Sequence, residues 1–415
     1  MELTDRARHN PALRYAALTG MLTAALVAGY WSLRLAWADR LSRSTDLADL
    51  SHAVALSPNN ASFRVRLARL LDKNGADPAQ GLETAAVLNP HDPAVWITLG
   101  LNAERHGEAR MAEHDLLEAA RVSRQFEPRW TLAGYYVRHG DTANFWPWVR
   151  RSLLVGSGDL NPVFALCWTM SQDGAFILDQ AIPERRPVLN AYLRFLLQQD
   201  RLSAAVPVAR KLTALATESD RPALLASTDH LLEAGESADA LELWNAMCAR
   251  RLLPYRALDP DHGVSLTDGA FTAEPAGGGF GWRLTNATGI TCGRNASQPY
   301  MWLSLSGSQP PHCEPLSQYI PLVSGKPYRL RFQYRTSDLP PESGLRWQVL
   351  DASNGADLAA RSPWLSSPAW KADEVVFAAP PKALARLVLS YQAVNGAPRL
   401  EGSVLLSNLR LERLP

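Results

Sequence analysis

The sequence predicts a multidomain protein with an N-terminal transmembrane helix, an all-α helical solenoid and a C-terminal all-β sandwich. The first element follows from an uncharged run of 19 residues between Tyr15 and Leu33. The second follows from helical segments that recur every 32 to 33 residues and close on Gly75, Gly107 and Gly140. The third follows from residues 328–335, which alternate between apolar and polar with the period of a half-buried strand.

The bulk composition limits the kind of partner and site that the chain can have. Its 415 residues, 47% of them hydrophobic, suffice for two cores of ordinary size. A net charge of +1 gives no overall field towards nucleic acid, so we expect no such partner. The four cysteines form no CxxC pair and no Cys–His spacing of a zinc site, so we also expect no metal and no cofactor.

The uncharged run predicts a membrane anchor over residues 15–35, after a cytoplasmic tail at 1–14. At about 1.5 Å per residue the run spans the roughly 30 Å hydrocarbon core, and Arg14 and Arg34 flank it. A cleaved signal peptide is the alternative, because Ala36-Trp37-Ala38 has the small-x-small pattern of a cleavage site. We favour the uncleaved anchor, since the run is longer than a typical signal-peptide core and Arg34 follows it directly.

Residues 44–255 are predicted to form paired helices stacked in a solenoid. The segments at 56–75 and 88–107 align without gaps, in a stretch rich in Ala and Leu. In the second segment, small residues stand where two paired helices must approach closely, and a glycine ends the first helix. The positions that resemble the tetratricopeptide repeat are Trp96, Leu99, Gly100, Gly107, Ala112 and Ala119. The resemblance implies a concave surface for protein partners, with Trp96 packed between repeats.

Residues 259–415 are predicted to form an antiparallel β-sandwich. Gly, Pro, Ser and Thr become frequent in this part of the chain, and strand-like alternation replaces the helical period. The clearest strand alternates polar residues with four that we expect to be buried: Tyr328, Leu330, Phe332 and Tyr334. Short alternating strands joined by turn residues are typical of two packed antiparallel sheets.

An ordered set of residues in this part resembles the carbohydrate-binding modules of the galactose-binding-like superfamily. The set comprises Asp268, Gly269, Phe271, Trp282, Gln318, Gly325, Tyr328 and Trp370. The resemblance implies a jelly-roll sandwich that binds glycans and carries out no catalysis. Members of the family usually close with an Asp pair that helps to hold a structural calcium. Ser407 and Asn408 stand at those positions here, and neutral side chains bind a hard cation far less well, so we predict no calcium.

The candidates for contacts with a glycan are Arg329, Arg331, Arg335, Arg346, Trp302 and Trp364. The arginines share the polar parity of two strands that we expect to be neighbours, and would form a basic face for an acidic polysaccharide. The alternative is a face that is solvated or packed against the solenoid. The two tryptophans are candidates for stacking on sugar rings, whereas Trp282, Trp347 and Trp370 are predicted to lie in the core.

Two further features concern chemistry. A disulfide between Cys292 and Cys313 would close a loop of about 20 residues and stabilise the fold by roughly 3 kcal/mol; the alternative is two free buried thiols. The run Gly277–Gly281 resembles a flexible loop and not a phosphate cradle, because no strand leads into it and no helix follows. The sequence has no GxSxG, HExxH or P-loop motif, so we predict no enzymatic activity.

Together these elements predict a single-pass protein of the bacterial inner membrane with most of the chain in the periplasm. Three arginines precede the apolar run and three follow it closely, so flanking charge does not fix the orientation. A glycan-binding sandwich with a cysteine pair belongs outside the cytoplasm. The predicted role is a scaffold that binds or guides a surface polysaccharide, or its assembly machinery. The alternative is a structural protein–protein adaptor of an envelope complex whose sandwich no longer binds sugar.

Overall fold

The structure is a computed structural model that describes residues 11–285, 287–353, 358–393 and 399–415. Side chains are described from Tyr15 onwards. Most of the predicted cytoplasmic tail, at 1–14, therefore lies outside the described residues. The chain divides into two compact units, Met1–Gly158 and Asp159–Pro415.

The described part of the first unit consists of helices that pack in consecutive pairs. The helices are α1 (Pro11–Ser42), α2 (Leu47–Leu56), α3 (Ala61–Lys73), α4 (Ala79–Leu88), α5 (Pro93–Arg105), α6 (Ala109–Val122), α7 (Phe126–Arg138) and α8 (Thr142–Leu153). Helix α1 packs with α2, α3 with α4, α5 with α6 and α7 with α8. This pairwise packing of short helices is the architecture of a helical repeat.

Residues at the helix ends explain where these helices begin and stop. The side chains of Asn60 and Asp92 accept hydrogen bonds from the first free amides of α3 and α5. Gly75, Gly107 and Gly140 follow α3, α5 and α7 with φ angles of 78°, 77° and 70°. In this left-handed region a Cβ atom is costly, so glycine ends each helix without strain. The predicted series of closing glycines is confirmed.

Small residues allow the two helices of a pair to touch. A Cβ atom at Gly100 would come within 2.7 Å of the Cγ atom of Leu116, so only glycine fits between α5 and α6. Ala112 and Ala119 of α6 are fully buried. Trp96 is partly buried and packs against the neighbouring cluster of apolar side chains, as predicted for a residue between repeats.

Helix α1 is continuous from the apolar run into the first helix pair. The segment Tyr15–Ser42 is long enough to cross a membrane; its most apolar 18-residue stretch has a mean hydropathy of 1.4 and contains no buried residue. Further along the same helix, Ala38 is completely buried in a cluster with Ala53 and Phe63. The Nε atom of Arg34 donates a hydrogen bond to the carbonyl of Leu56 at 2.9 Å. Hence no linker separates the candidate span from the helical repeat.

We expect the chain to keep its N-terminal helix in the membrane. Signal-peptide cleavage after Ala38 would remove α1 up to that residue and expose the apolar side chains that it covers. The full chain should therefore stay in the membrane fraction after high-salt and carbonate washing. N-terminal sequencing that finds a soluble chain starting at Asp39 would show that α1 is a cleaved signal.

The second unit begins with six described helices. They are α9 (Asn161–Met170), α10 (Gly174–Gln180), α11 (Arg186–Gln198), α12 (Leu202–Leu215), α13 (Arg221–Ala234) and α14 (Ser237–Ala249). Helix α11 packs with α12 and α13 with α14. Helix α10 has only 7 residues and is shorter than the other five.

The rest of the second unit forms two five-stranded sheets within the described residues. The strands are β1 (Arg283–Leu284), β2 (Ile290–Arg294), β3 (Met301–Ser306), β4 (His312–Pro321), β5 (Pro327–Ser337), β6 (Leu345–Asp351), β7 (Leu358–Arg361), β8 (Lys371–Ala378), β9 (Leu384–Gln392) and β10 (Glu401–Arg413). The first sheet has the order β1-β4-β9-β6-β7 and the second the order β2-β3-β10-β5-β8. The predicted multidomain fold, with a candidate membrane helix, a helical repeat and an all-β sandwich, is confirmed.

Both sheets contribute side chains to one hydrophobic core. The four apolar residues predicted for one face of β5 are buried, and the polar residues between them are exposed or partly exposed. Trp282 and Trp347 are buried as predicted, with ring centroids 6.1 Å apart. The core prediction for Trp370 is wrong, because its side chain is 47% exposed. In β8, Val375 and Phe377 point inward and the even-numbered residues between and after them point outward; Trp370, which directly precedes the strand, has the same outward parity.

The glycine-rich run Gly277–Gly281 packs against the last two helices. The amide of Gly279 donates to a carboxylate oxygen of Asp229 in α13 at 2.7 Å. Phe280 is fully buried, with its ring edge-on to Trp244 of α14 at 6.0 Å between centroids. The interpretation of this run as a flexible loop is therefore wrong. Its glycines make room for contact between the helices and the start of the sandwich.

Candidate functional site

Two exposed or partly exposed tryptophans lie at opposite ends of one row across the second sheet. In the strand register, Trp302 of β3 is opposite Leu405 of β10, and Leu405 is opposite Arg335 of β5. Trp370 directly precedes Lys371, whose partner in β5 is Tyr334, so the register places Trp370 beside Arg335. We call these four residues the Trp302–Trp370 row. Three strand spacings of about 4.8 Å make the row about 14 Å long.

Trp302 is held at the outer end of the row by the neighbouring strand. It is opposite Gly293 of β2, and a Cβ atom there would come within 3.2 Å of the indole ring. Because glycine has no side chain, the ring can lie against the backbone of β2. The indole remains partly exposed, so an aromatic surface is fixed in place and accessible from solvent.

Trp370 and Arg335 form the other half of the row. The guanidinium carbon of Arg335 lies 5.8 Å from the centroid of the indole of Trp370, within the range of a cation–π contact. Both side chains are exposed. Within the part of the chain that the structure describes, Arg335 makes no salt bridge, so its hydrogen-bond donors are available to a ligand.

The other two arginines of β5 are engaged by carboxylates. Arg331 lies 3.2 Å from Glu374 of β8 and 3.4 Å from Glu412 of β10. Arg329 lies 3.5 Å from the same Glu374. These exposed pairs contribute little to stability, but the two carboxylates compensate the positive charge of Arg329 and Arg331 on the outer face of the second sheet. The positive charge of the basic face that the sequence predicts is thus partly neutralised.

Arg346 does not join the arginines of β5. It lies in β6, which belongs to the first sheet, whereas β5 belongs to the second. Strands β5 and β6 follow each other in sequence but cross from one sheet to the other, so their outward side chains lie on opposite surfaces of the sandwich. The prediction that Arg329, Arg331, Arg335 and Arg346 share one face is therefore wrong.

Trp364 pairs with Arg346 on the outer surface of the first sheet. The guanidinium carbon of Arg346 lies 4.1 Å from the indole centroid of Trp364. Backbone hydrogen bonds from Ser362 to Trp347 and from Leu365 to Leu345 fix the segment that carries Trp364 along β6. Desolvation, with a smaller contribution from nearby Arg361, lowers the pKa of Arg346. The pair is separate from the Trp302–Trp370 row.

The cysteine thiols of the sandwich are free in this structure. Cys292 of β2 and Cys313 of β4 belong to opposite sheets, and both side chains pack in the core. The Sγ atom of Cys292 lies 3.8 Å from the carbonyl of Pro315. Burial raises the pKa of Cys292, and it raises the pKa of Cys313 to about 11. The structure therefore has the two free thiols that were the alternative to a disulfide.

Ser407 and Asn408, at which the sequence predicts no calcium, make hydrogen bonds within the chain. The hydroxyl of Ser407 donates to the carbonyl of Pro299 at 2.9 Å, and the side-chain oxygen of Asn408 accepts from Arg410 at 3.0 Å. The carboxylate of Asp268 accepts bonds from Thr272 and the amide of Ala273. Across the described residues, no group of three or more His, Cys, Asp or Glu side chains could hold a metal ion.

Sequence reasoning missed two members of the row. Leu405 is not a candidate from the sequence, because an aliphatic residue in the last strand is expected to lie in the core. The motif position of Trp370 predicts a core residue, whereas the alternation of the strand that follows it, β8, gives Trp370 outward parity. Only the pairing of β3 and β5 with β10 brings Trp302 and Arg335 into the same row.

Solved structures of both predicted kinds are similar to this chain. A CBM4 module matches with a TM-score of 0.30 and 11% identity, over 36% of this chain and 100% of the module. The TPR protein YrrB, described as having an unusual peptide-binding site, matches with a TM-score of 0.26 and 11% identity, over 50% of this chain and 94% of its own. PilW, a type IV pilus biogenesis factor, matches with a TM-score of 0.27 and 14% identity, over 54% of this chain and 94% of its own.

These matches agree with the two resemblances predicted from the sequence, and at such low identity and TM-score they carry no argument about function. The fold itself is established by the paired helices and the order of the strands. No protein-family model and no curated protein matches the sequence.

Proposed function

We propose that the protein is a non-catalytic scaffold, anchored by α1 in the bacterial inner membrane, whose periplasmic sandwich binds a surface polysaccharide along the Trp302–Trp370 row. The helical repeat contacts the protein machinery that makes or exports this polysaccharide. The first unit presents paired helices for such contacts, and the sandwich lies at the other end of the sequence. The protein thereby holds the glycan near the membrane without changing it.

The Trp302–Trp370 row carries this proposal. Aromatic side chains on a water-exposed sheet leave apolar area in contact with water. Covering this area with a ligand or a partner is favourable. Indole rings suit the apolar faces of pyranose rings, and the free guanidinium of Arg335 between them supplies donors for hydroxyl groups. A row about 14 Å long suits an extended chain of several sugars better than one small molecule.

The charge distribution favours a ligand with few charges. Glu374 and Glu412 already engage Arg329 and Arg331, so an acidic polysaccharide would have to compete with these carboxylates. Arg335, the charged residue of the row, has no carboxylate partner among the described residues. We therefore propose a neutral or weakly acidic glycan, in place of the acidic polysaccharide that the arginine pattern predicts.

A protein–protein adaptor remains the second candidate function, and one observation favours it. Strand β8 is an edge of the second sheet, and its outer face carries exposed Val376 as well as the adjoining Trp370. An edge strand with exposed apolar residues can pair with a protein segment. The Glu374 and Lys371 side chains along this edge act against such pairing, so the glycan proposal explains the tryptophans better.

We expect the full chain in a mild detergent to bind at least one linear polysaccharide on an array of neutral and acidic glycans. Because the row relies on stacking and on one arginine, raising the salt from 0.05 to 0.5 M should weaken binding by less than about threefold, whereas a multiply charged interface would be strongly screened. Binding that is lost in salt would indicate the basic residues as the site. If the chain binds no glycan on a broad array, the adaptor function is the correct one.

A further inference from the structure

A basic pocket lies in the first unit where α1 ends. Its volume is about 370 Å³. Four cationic side chains contribute to its wall, together with two leucines: Arg43, Arg66, Arg69, Lys73, Leu50 and Leu70. No carboxylate belongs to this wall among the described residues. The pocket thus combines concentrated positive charge with a small apolar surface.

Helix α3 arranges most of these cations on a single face. Arg66, Arg69 and Lys73 are spaced three and four residues apart, so their side chains lie above one another along the helix. All three are exposed. Like charges at this spacing repel each other and lower helix stability. A bound anion would relieve that repulsion.

Few partners within the chain compensate this charge. Asp39 pairs with Arg43 at 2.7 Å. Arg66 donates to the backbone carbonyl of Ser42 at 2.9 Å, and Arg69 makes a long hydrogen bond of 3.3 Å to the hydroxyl of Thr98. Lys73 has no hydrogen bond or salt bridge within the described part of the chain. Of the four cations in the wall, only Arg43 has a carboxylate bonded to it among the described residues, although Arg69 also borders a second pocket that Asp72, Glu104 and Glu127 line.

The position of the pocket along α1 indicates where an anion would come from. From Arg34, at the end of the apolar run, to Ser42 in the pocket wall is about 12 Å along the helix axis. The headgroup layer of a bilayer extends about 5–8 Å beyond the hydrocarbon core. Because α1 continues without a break and is held by the contact between Arg34 and Leu56, the pocket wall at Ser42 would lie about 4–7 Å beyond the headgroup layer.

We propose that this pocket binds a phosphate group, supplied by the headgroup of an anionic phospholipid in the membrane that α1 crosses. Arginine and lysine donors match the oxygens of a phosphate, and their long side chains can extend from the pocket towards the headgroup layer. A free phosphate ion has the same headgroup chemistry, so the experiment must separate the two sources. The proposal rests on the membrane anchoring of the proposed function.

The reactivity of Lys73 reports on occupancy of the pocket. The full chain is reconstituted in nanodiscs of phosphatidylcholine alone or with phosphatidylglycerol, and the acetylation of each lysine by an amine-reactive ester is followed by mass spectrometry. Exposed Lys382 in the sandwich is the internal reference. When the concentration of phosphatidylglycerol is about ten times its Kd, only about a tenth of the pockets stay empty. Acetylation of Lys73 should then slow about tenfold, whereas the rate of acetylation of Lys382 should not change.

Inorganic phosphate added to the phosphatidylcholine discs, at constant ionic strength, tests the other source. Protection of Lys73 by phosphatidylglycerol alone supports the lipid headgroup, and equal protection by inorganic phosphate supports the phosphate pocket with a free ion as its source. Absence of protection in both arms overturns the proposal. Co-elution of the chain with the discs tests the anchor separately, and the phosphate arm can be run on the detergent-solubilised chain if α1 does not insert.

Variants identify the residues that are responsible. Arg66→Gln with Arg69→Gln should remove the protection of Lys73, whereas Arg110→Gln with Arg124→Gln, an equal change of charge elsewhere in the first unit, should leave it intact. Since Arg66 also bonds to Ser42, Arg69→Gln alone provides a second variant with little structural role, and it should weaken protection severalfold. Protection that persists in both pocket variants would overturn the proposal.

Discussion

Gly269→Ala is expected to destabilise the sandwich by about 3 kcal/mol. A Cβ atom at this position would lie 2.1 Å from the backbone carbonyl oxygen of Leu409 and 2.7 Å from the side chain of Leu266. The amide of Leu409 also donates to the carbonyl of Gly269 at 2.8 Å. The added methyl group therefore pushes the segment that carries Gly269 away from β10 and breaks the hydrogen bond between Gly269 and Leu409.

Hydrogen exchange of the β10 amides in the full chain measures this effect locally. A loss of about 3 kcal/mol corresponds to exchange about 100-fold faster where the amides open with the sandwich. Ala270→Ser, at the exposed neighbouring position, is the control and should change the opening free energy by less than about 0.5 kcal/mol. Exchange in Gly269→Ala that matches the wild type would show that the opening segment does not pack against β10 as described.

Gly279→Ala is expected to separate the glycine-rich run from the last helix pair, at a cost of about 3 kcal/mol. The backbone at this residue has a φ of 57°, where a Cβ atom costs roughly 1–2 kcal/mol. The Cβ atom would also lie 2.6 Å from the indole of Trp244, and overpacking of a rigid ring adds about 1–3 kcal/mol. Phe280, buried beside the same indole, would then lose its packing.

Gly277→Ala provides a matched control in the same run. Its φ is 73°, but no atom lies within 4 Å of its Cβ position, so only the backbone strain of about 1–2 kcal/mol remains. Limited proteolysis between residues 273 and 283 should therefore be clearly faster in Gly279→Ala than in Gly277→Ala. Equal cleavage of the two variants would mean that contact with Trp244 does not hold the run in place.

Features that depend on local pattern could be predicted from the sequence. The closing glycines Gly75, Gly107 and Gly140 identify the helical repeat because each needs a left-handed backbone at the same place. The alternation in β5 places Tyr328 and Phe332 in the core because successive side chains of a strand point to opposite faces. Both signals come from a few neighbouring residues and need no knowledge of the partner elements.

Features that depend on long-range pairing could not be predicted in this way. The outward parity of Arg335 and Arg346 is correct, but only the sheet order shows that they lie on opposite surfaces. The Trp302–Trp370 row likewise exists because β10 pairs with both β3 and β5, far away in the sequence. The packing of Phe280 on Trp244 was missed for the same reason, since Gly-rich composition alone suggests a flexible loop.

The most direct test of the glycan-binding account compares two tryptophan variants on the polysaccharide that the full chain binds best. Trp302→Ala with Trp370→Ala removes both ends of the row, and a loss of about 100-fold in affinity is expected from two aromatic anchors. Trp364→Ala is the matched control, because it removes an indole that also contacts an arginine but lies on the first sheet; it should bind within about twofold of the wild type. Wild-type affinity in the double variant, or an equal loss in the control, would contradict the assignment of the row as the glycan-binding site.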